Sequence, residues 1–149
     1  MRYLVKSCVV TTFLLLASCL TVSAQNGSQN GALPGRIELE LNRLSPSGQG
    51  CLMTFVVRNG FSARLDKSAF EMVIFNGDGL VERMTVFDFG ALPTGKTVVR
   101  QFEMPNMVCD GIGRILVNGA KACTGEGISP DTCIGTLKAE SKADIPFGS

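Results

Sequence analysis

The sequence predicts an all-β, immunoglobulin-like antiparallel sandwich of about seven strands, with a small β-barrel as the alternative. Three observations predict it. Apolar and polar residues alternate with period two through most of the chain, the signature of half-buried strands. Turn signals recur at short, regular intervals, as sandwiches require. No segment carries a sustained helical period of apolar residues.

The elements follow in order. Ile37, Leu39 and Leu41 alternate with Glu38, Glu40 and Asn42 as a first strand. Residues 45–50, Ser-Pro-Ser-Gly-Gln-Gly, read as a turn. A second strand covers residues 51–58, with Cys51, Met53, Phe55 and Val57 on one face, and Asn59-Gly60 stops it. Residues 69–75 are apolar on both faces and so read as a central strand. Asn76-Gly77-Asp78-Gly79 turns the chain into a fourth strand, residues 80–87. A loop over residues 88–95 precedes a fifth strand, residues 97–104, with Val98, Phe102 and Met104 facing together. A sixth strand, 112–117, is stopped by Asn118-Gly119. Residues 120–136 are expected as a long loop with a short helical turn near Ser129-Pro130-Asp131. The last strand covers 137–145, with Leu137, Ala139, Ser141, Ala143 and Ile145 inward.

The start of the chain predicts a compartment. Arg2 and Lys6 precede an uncharged, mostly apolar run from Cys8 to Leu20, followed by Val22-Ser23-Ala24. A positive start, an apolar middle and small residues before a cut make a secretory signal peptide. Residues 1–24 are therefore expected to be removed between Ala24 and Gln25. Leu16-Ala17-Ser18-Cys19 offers a competing outcome, lipidation of Cys19 at a lipobox. Residues 25–35 read as a flexible leader with little to bury, and residues 36–149 as one domain. The expected location is the periplasm or the outside, or a membrane surface if Cys19 carries a lipid. No second apolar run is long enough to span a bilayer.

Four cysteines follow the expected cut: Cys51, Cys109, Cys123 and Cys133. In a small exported domain an even count reads as disulfides. Zinc is disfavoured because no two of them are closer than ten residues and the chain has no histidine. Three pairings are possible. In the sandwich, the second and fifth strands pair antiparallel, which brings Cys51 to Cys109 at one end and leaves Cys123 to pair with Cys133.

Charge and composition narrow the function. With Arg2 and Lys6 gone, twelve basic and thirteen acidic residues remain, in no block of one sign. Nothing therefore predicts a nucleic-acid footprint. Without histidine, Ser-His-Asp and Cys-His nucleophile systems are excluded. Paired carboxylates could still hydrolyse glycosides, but the acids fall mostly on outward strand positions or turns. The chain has no Trp and a single Tyr, Tyr3, which disfavours sugar stacking. Gly90-Ala91-Leu92-Pro93-Thr94-Gly95-Lys96-Thr97 matches the P-loop pattern literally. A strand, not a helix, is expected after it, so it reads as a turn. Asn76-Gly77-Asp78-Gly79 lacks the further oxygen ligands of a calcium loop. Gly111-Ile112-Gly113 lacks the third glycine of a dinucleotide fingerprint. No catalytic residue, metal or cofactor is assigned.

From Cys51 onward the chain resembles small exported bacterial sandwich domains. The carrying segments are residues 51–59, CLMTFVVRN, residues 75–81, FNGDGLV, and residues 92–96, LPTGK. The resemblance implies a module that binds a partner at the cell envelope, and it carries over no site residues. The strand 69–75, apolar on both faces, and five methionines near it in sequence order, Met53, Met72, Met84, Met104 and Met107, suggest a non-enzymatic envelope module with an adaptable protein-binding patch. Simple core filling is the plainer reading of each. The constrained stretch 120–136 is the expected recognition loop.

Overall fold

The computed structural model describes residues 35–48 and 50–149. The expected signal peptide, the Ala24–Gln25 cut, Cys19 and all of the leader except Gly35 lie outside the described residues. Eight strands form two four-stranded sheets. One sheet has the order β5 (Thr97–Pro105), β2 (Gly50–Asn59), β1 (Ile37–Ser47), β7 (Lys138–Ser141). The other has the order β4 (Val81–Asp88), β3 (Leu65–Asn76), β6 (Ile112–Gly125), β8 (Phe147–Gly148). The architecture is a sandwich and not a closed barrel.

Period-two alternation builds the core. Along β2, Cys51, Met53, Phe55 and Val57 are buried while Leu52, Thr54, Val56 and Arg58 are half-exposed. Ile37, Leu39 and Leu41 of β1 point the same way, and Phe70, Met72 and Ile74 face them from β3. Phe55 sits at the centre, with ring centroids of Phe87, Phe89, Phe102 and Phe147 within 6.0 Å. Phe87 and Phe102 stack at 4.4 Å between β4 and β5, the edge strands of opposite sheets. Such aromatic contacts add about 0.5–1.5 kcal/mol each beyond area burial. β3 lies inside its sheet, between β4 and β6, with Phe70, Met72 and Ile74 toward the core and Val73 and Phe75 on the outer face.

The sheets are not purely antiparallel, as the sequence had suggested. β7 runs parallel to β1, and β8 parallel to β6. The single last strand expected over 137–145 is in fact two short ones, with residues 142–146 crossing from one sheet to the other. The alternation of exposure through 138–145 holds, but it does not report which sheet a strand joins.

Two turn signals are absorbed into strands. β1 continues through Ser45-Pro46-Ser47, with a bulge between Leu41 and Arg43. β6 runs past Asn118-Gly119 to Gly125. Gly119 pairs with Glu71 and Val117 with Met72, so Asn118 is the extra residue of a bulge. Lys121 is the extra residue of a second bulge, between Ala120 and Ala122. Both bulged side chains reach the same carboxylate: Asn118 Nδ2 donates to Glu71 Oε1 at 2.6 Å, and Lys121 Nζ lies 2.8 Å from Glu71 Oε2. A bulge leaves its extra residue outside the ladder, and here Glu71 holds two of them.

The expected loop 120–136 is consequently mostly structured. Residues 120–125 belong to β6, and a helix α1 (Pro130–Gly135) follows. Ser129 caps that helix, its Oγ accepting from the Thr132 N–H at 3.3 Å, with Pro130 in the first turn. The disulfide Cys123–Cys133 therefore ties a strand to a helix rather than closing a free loop. Cys51–Cys109 joins the start of β2 to a 3₁₀ turn, Cys109–Gly111, just beyond β5. Cys51 is the register partner of Met104 in β5, so the antiparallel β2–β5 pairing does bring the two cysteines to one end.

Candidate protein-binding surface

The motifs that mimic chemistry resolve into turns. Gly90–Thr97 leads from a bridge between Leu92 and Leu65 into β5, with Gly95 at φ 67° and its N–H donating to Asn59 O at 2.9 Å. The strand β5, and not a helix, follows this loop, so the chain does not present there the helix N-terminal amides that bind phosphate. In Asn76-Gly77-Asp78-Gly79, Asn76 Oδ1 accepts from the Asp78 and Leu80 N–H groups, and Gly79 has φ 79°. The Asn oxygen is thus committed to the hairpin. Gly113 is a close-approach glycine: a Cβ there would lie 2.3 Å from Asn76 O.

Three acids do share one face. Glu38, Glu40 and Glu140 line a shallow depression on the outer side of β1 and β7, because Glu40 and Glu140 are register partners. Each carboxylate already has a neighbour: Glu38 accepts from Arg36 at 2.9 Å, Glu40 from Asn42 at 2.8 Å, and Glu140 pairs with Lys138 at 2.6 Å. Lys138 holds Glu140 below the ordinary carboxylate range. A glycosidase acid needs the opposite shift.

The methionines divide unequally. Met53, Met72, Met104 and Met107 are buried in the core, so four of the five fill space, and the patch does not consist of methionine. Met84 is 55% exposed. It belongs to an apolar tract on the outer face of the second sheet. Val73 has Met84 and Leu116 as register partners on either side, and Phe75 has Val81 and Arg114. Directly opposed residues share a face, so Leu116, Val73 and Met84 form one row and Arg114, Phe75 and Val81 the next. Val86, the register partner of Glu71, extends the tract along β4, and Leu80 in the preceding hairpin is exposed as well. The Arg114 guanidinium sits 4.1 Å above the Phe75 ring centroid, covering that ring while the Met84 side stays open. Phe87, by contrast, is buried and points into the core.

β4 owes this surface to its position. It is an edge strand, so only one side of its backbone is paired, and its outward residues have no covering element among the described residues. The sequence pointed to residues 69–75 but missed Leu80, Val81 and Val86. The available signal was Met84 and Val86 at alternate positions, on the face opposite the core residue Phe87, with Glu82 and Arg83 interrupting the run before them.

Fold and surface together define a class: a small two-sheet sandwich with two disulfides and an exposed apolar face on one edge strand. No family model matches the chain, and no curated protein matches it. The chain is similar in structure to IrmA from Escherichia coli, at a TM-score of 0.57 and 12% identity, over 70% of this chain and 90% of that one. That likeness concerns the fold.

Proposed function

We propose that the chain is an exported envelope protein that acts without catalysis, as a module that binds another protein through the outer face of β4, β3 and β6. The carrying observation is the exposed tract Val81, Met84 and Val86 on an edge strand. Apolar side chains scattered singly on a surface need no explanation, whereas contiguous ones mark interaction sites. The occupant is an apolar protein surface, since apolar contacts ringed by polar groups are the anatomy of protein interfaces. Two disulfides in a small domain suit an oxidising compartment, which supports the exported setting.

The test is affinity capture from envelope extract with wild-type protein and with Met84→Lys/Val86→Lys. Both side chains are exposed, so the double variant is expected to melt with the wild type. A defined partner recovered by the wild type and lost by the variant is the expected result. Equal recovery by both would remove this face from the account. Mass spectrometry of the mature N-terminus separates release from anchoring: Gln25 as first residue means release, and a diacylated Cys19 means a membrane tether.

A further inference from the structure

Both sheets lose their cover strand on one flank at the same level. β7 accompanies β1 only from Glu38 to Leu41. The Lys142 and Ala143 N–H groups then both donate to Leu41 O, at 2.8 and 3.3 Å, and the chain departs for the other sheet. There β8 pairs with β6 only at Ile115 and Leu116. β1, however, continues to Ser47, and β6 starts as early as Ile112. Beyond Leu41, β1 is thus paired to β2 on one side and to no strand on the other, among the described residues.

Beneath the crossing segment lies a half-open groove of about 550 Å³, within the range of about 300–1,000 Å³ typical of ligand sites. Leu44, Ile112, Ala143 and Ile145 give it an apolar lining. Arg43, Lys142, Asp110 and Asp144 also line it, and none of these four charges forms an ion pair among the described residues. A second hollow of about 360 Å³ adjoins it, sharing Pro46, Cys109 and Asp110, and is bounded by Met107 and the 71% exposed Val108.

We propose that this groove takes an extended peptide segment of a partner protein, laid as an added strand along the open edge of β1 at residues 43–47. A free strand edge presents a row of main-chain donors and acceptors, and another main chain is the ligand that matches such a row. Five residues at about 3.3 Å each give a contact of about 16 Å. The side chains of such a strand alternate between the apolar lining and the rim. Two cations and two anions left without partners select a segment that carries both an acidic and a basic residue, interleaved with apolar ones. An apolar residue at its end reaches the hollow beside Val108. Pro46 and the bulge at Asn42 interrupt the edge, as natural edges do to resist indiscriminate sheet growth.

This site is independent of the β4 face, because β4 lies at the opposite edge of its sheet from β8. The experiment pans the oxidised mature protein against a display library of linear ten-residue peptides. The enriched peptides are then mapped by amide chemical shifts. The expected peptides alternate apolar residues with charges of both signs and shift amides at 43–47, 109–112 and 142–145. Arg43→Glu/Lys142→Glu and Asp110→Lys/Asp144→Lys should each weaken binding about tenfold or more with unchanged melting. Met84→Lys/Val86→Lys should bind as the wild type does. Failure to enrich any sequence, or wild-type binding by both charge-reversed variants, would overturn the proposal. Shifts confined to β4 would also overturn it while favouring the face proposed above.

Discussion

Asn59 is fully buried, and each end of its amide is employed. Nδ2 donates to Ala63 O and Leu92 O, both at 3.0 Å, and Oδ1 accepts from the Phe61 N–H at 2.9 Å. Removing the amide strands the buried Phe61 N–H, at about 1–3 kcal/mol, and takes the partner of Ala63 O, whereas Leu92 O keeps the Leu65 N–H at 3.0 Å. Asn59→Ala should therefore lower stability by about 2–4 kcal/mol in urea unfolding. Asn59→Asp should cost at least as much, since a carboxylate would face two carbonyl oxygens. Glu71 works differently. Hydrogen bonds from Lys121, first, and from Asn118 hold its carboxyl below its usual 4.5. A depressed carboxyl contributes stability that is complete above the unfolded value and is lost as pH falls through the folded one. Melting temperature should thus fall as pH drops below about 4.5, and Glu71→Gln should flatten that part of the curve. A wild-type slope retained in Glu71→Gln would show that the two bulges hold without the carboxylate. The Asn59-Gly60 pair was legible in the sequence as a strand stop. The role of Glu71 was not, because it depends on bulges whose positions only the β3–β6 register reveals.

At the scale of elements, the disulfides differ in what they close. Cys51–Cys109 spans 58 residues and Cys123–Cys133 spans 10. On the chain-entropy account the longer loop is worth about 4 kcal/mol and the shorter about 3. Cys51→Ala/Cys109→Ala should therefore destabilise more than Cys123→Ala/Cys133→Ala in denaturant titrations. The reverse order would mean that fixing α1 against β6 matters more than restricting the unfolded chain. The elements themselves show where local signals run out. The cores of β1, β2 and β5 were readable because burial on one face imposes alternation, and β3 because its apolar run ends at the Asn76-Gly77-Asp78-Gly79 turn. Asn118-Gly119 and Ser45-Pro46-Ser47 misled because the same residues that turn a chain also fill bulges and strand ends on an edge. The split of the final strand was invisible, since alternation is the same in either sheet.

For the whole molecule, the sandwich class and the pairing of Cys51 with Cys109 follow from pattern and topology together. The candidate binding face does not, because sequence cannot distinguish an apolar residue on the outside of an edge strand from one in the core. Met53, Met72, Met104 and Met107 lie inside while Met84 lies outside, and the difference comes from which strand occupies the edge. The central claim is that this edge face meets another protein. The most direct measurement is site-specific photocrosslinking in the living host, with the photoreactive residue placed at position 84 or 86, or at position 54 or 101 on the outer face of the other sheet. The account predicts a discrete protein adduct from 84 and 86 and none from 54 and 101. No adduct from 84 and 86, or the same adduct from all four positions, would contradict it.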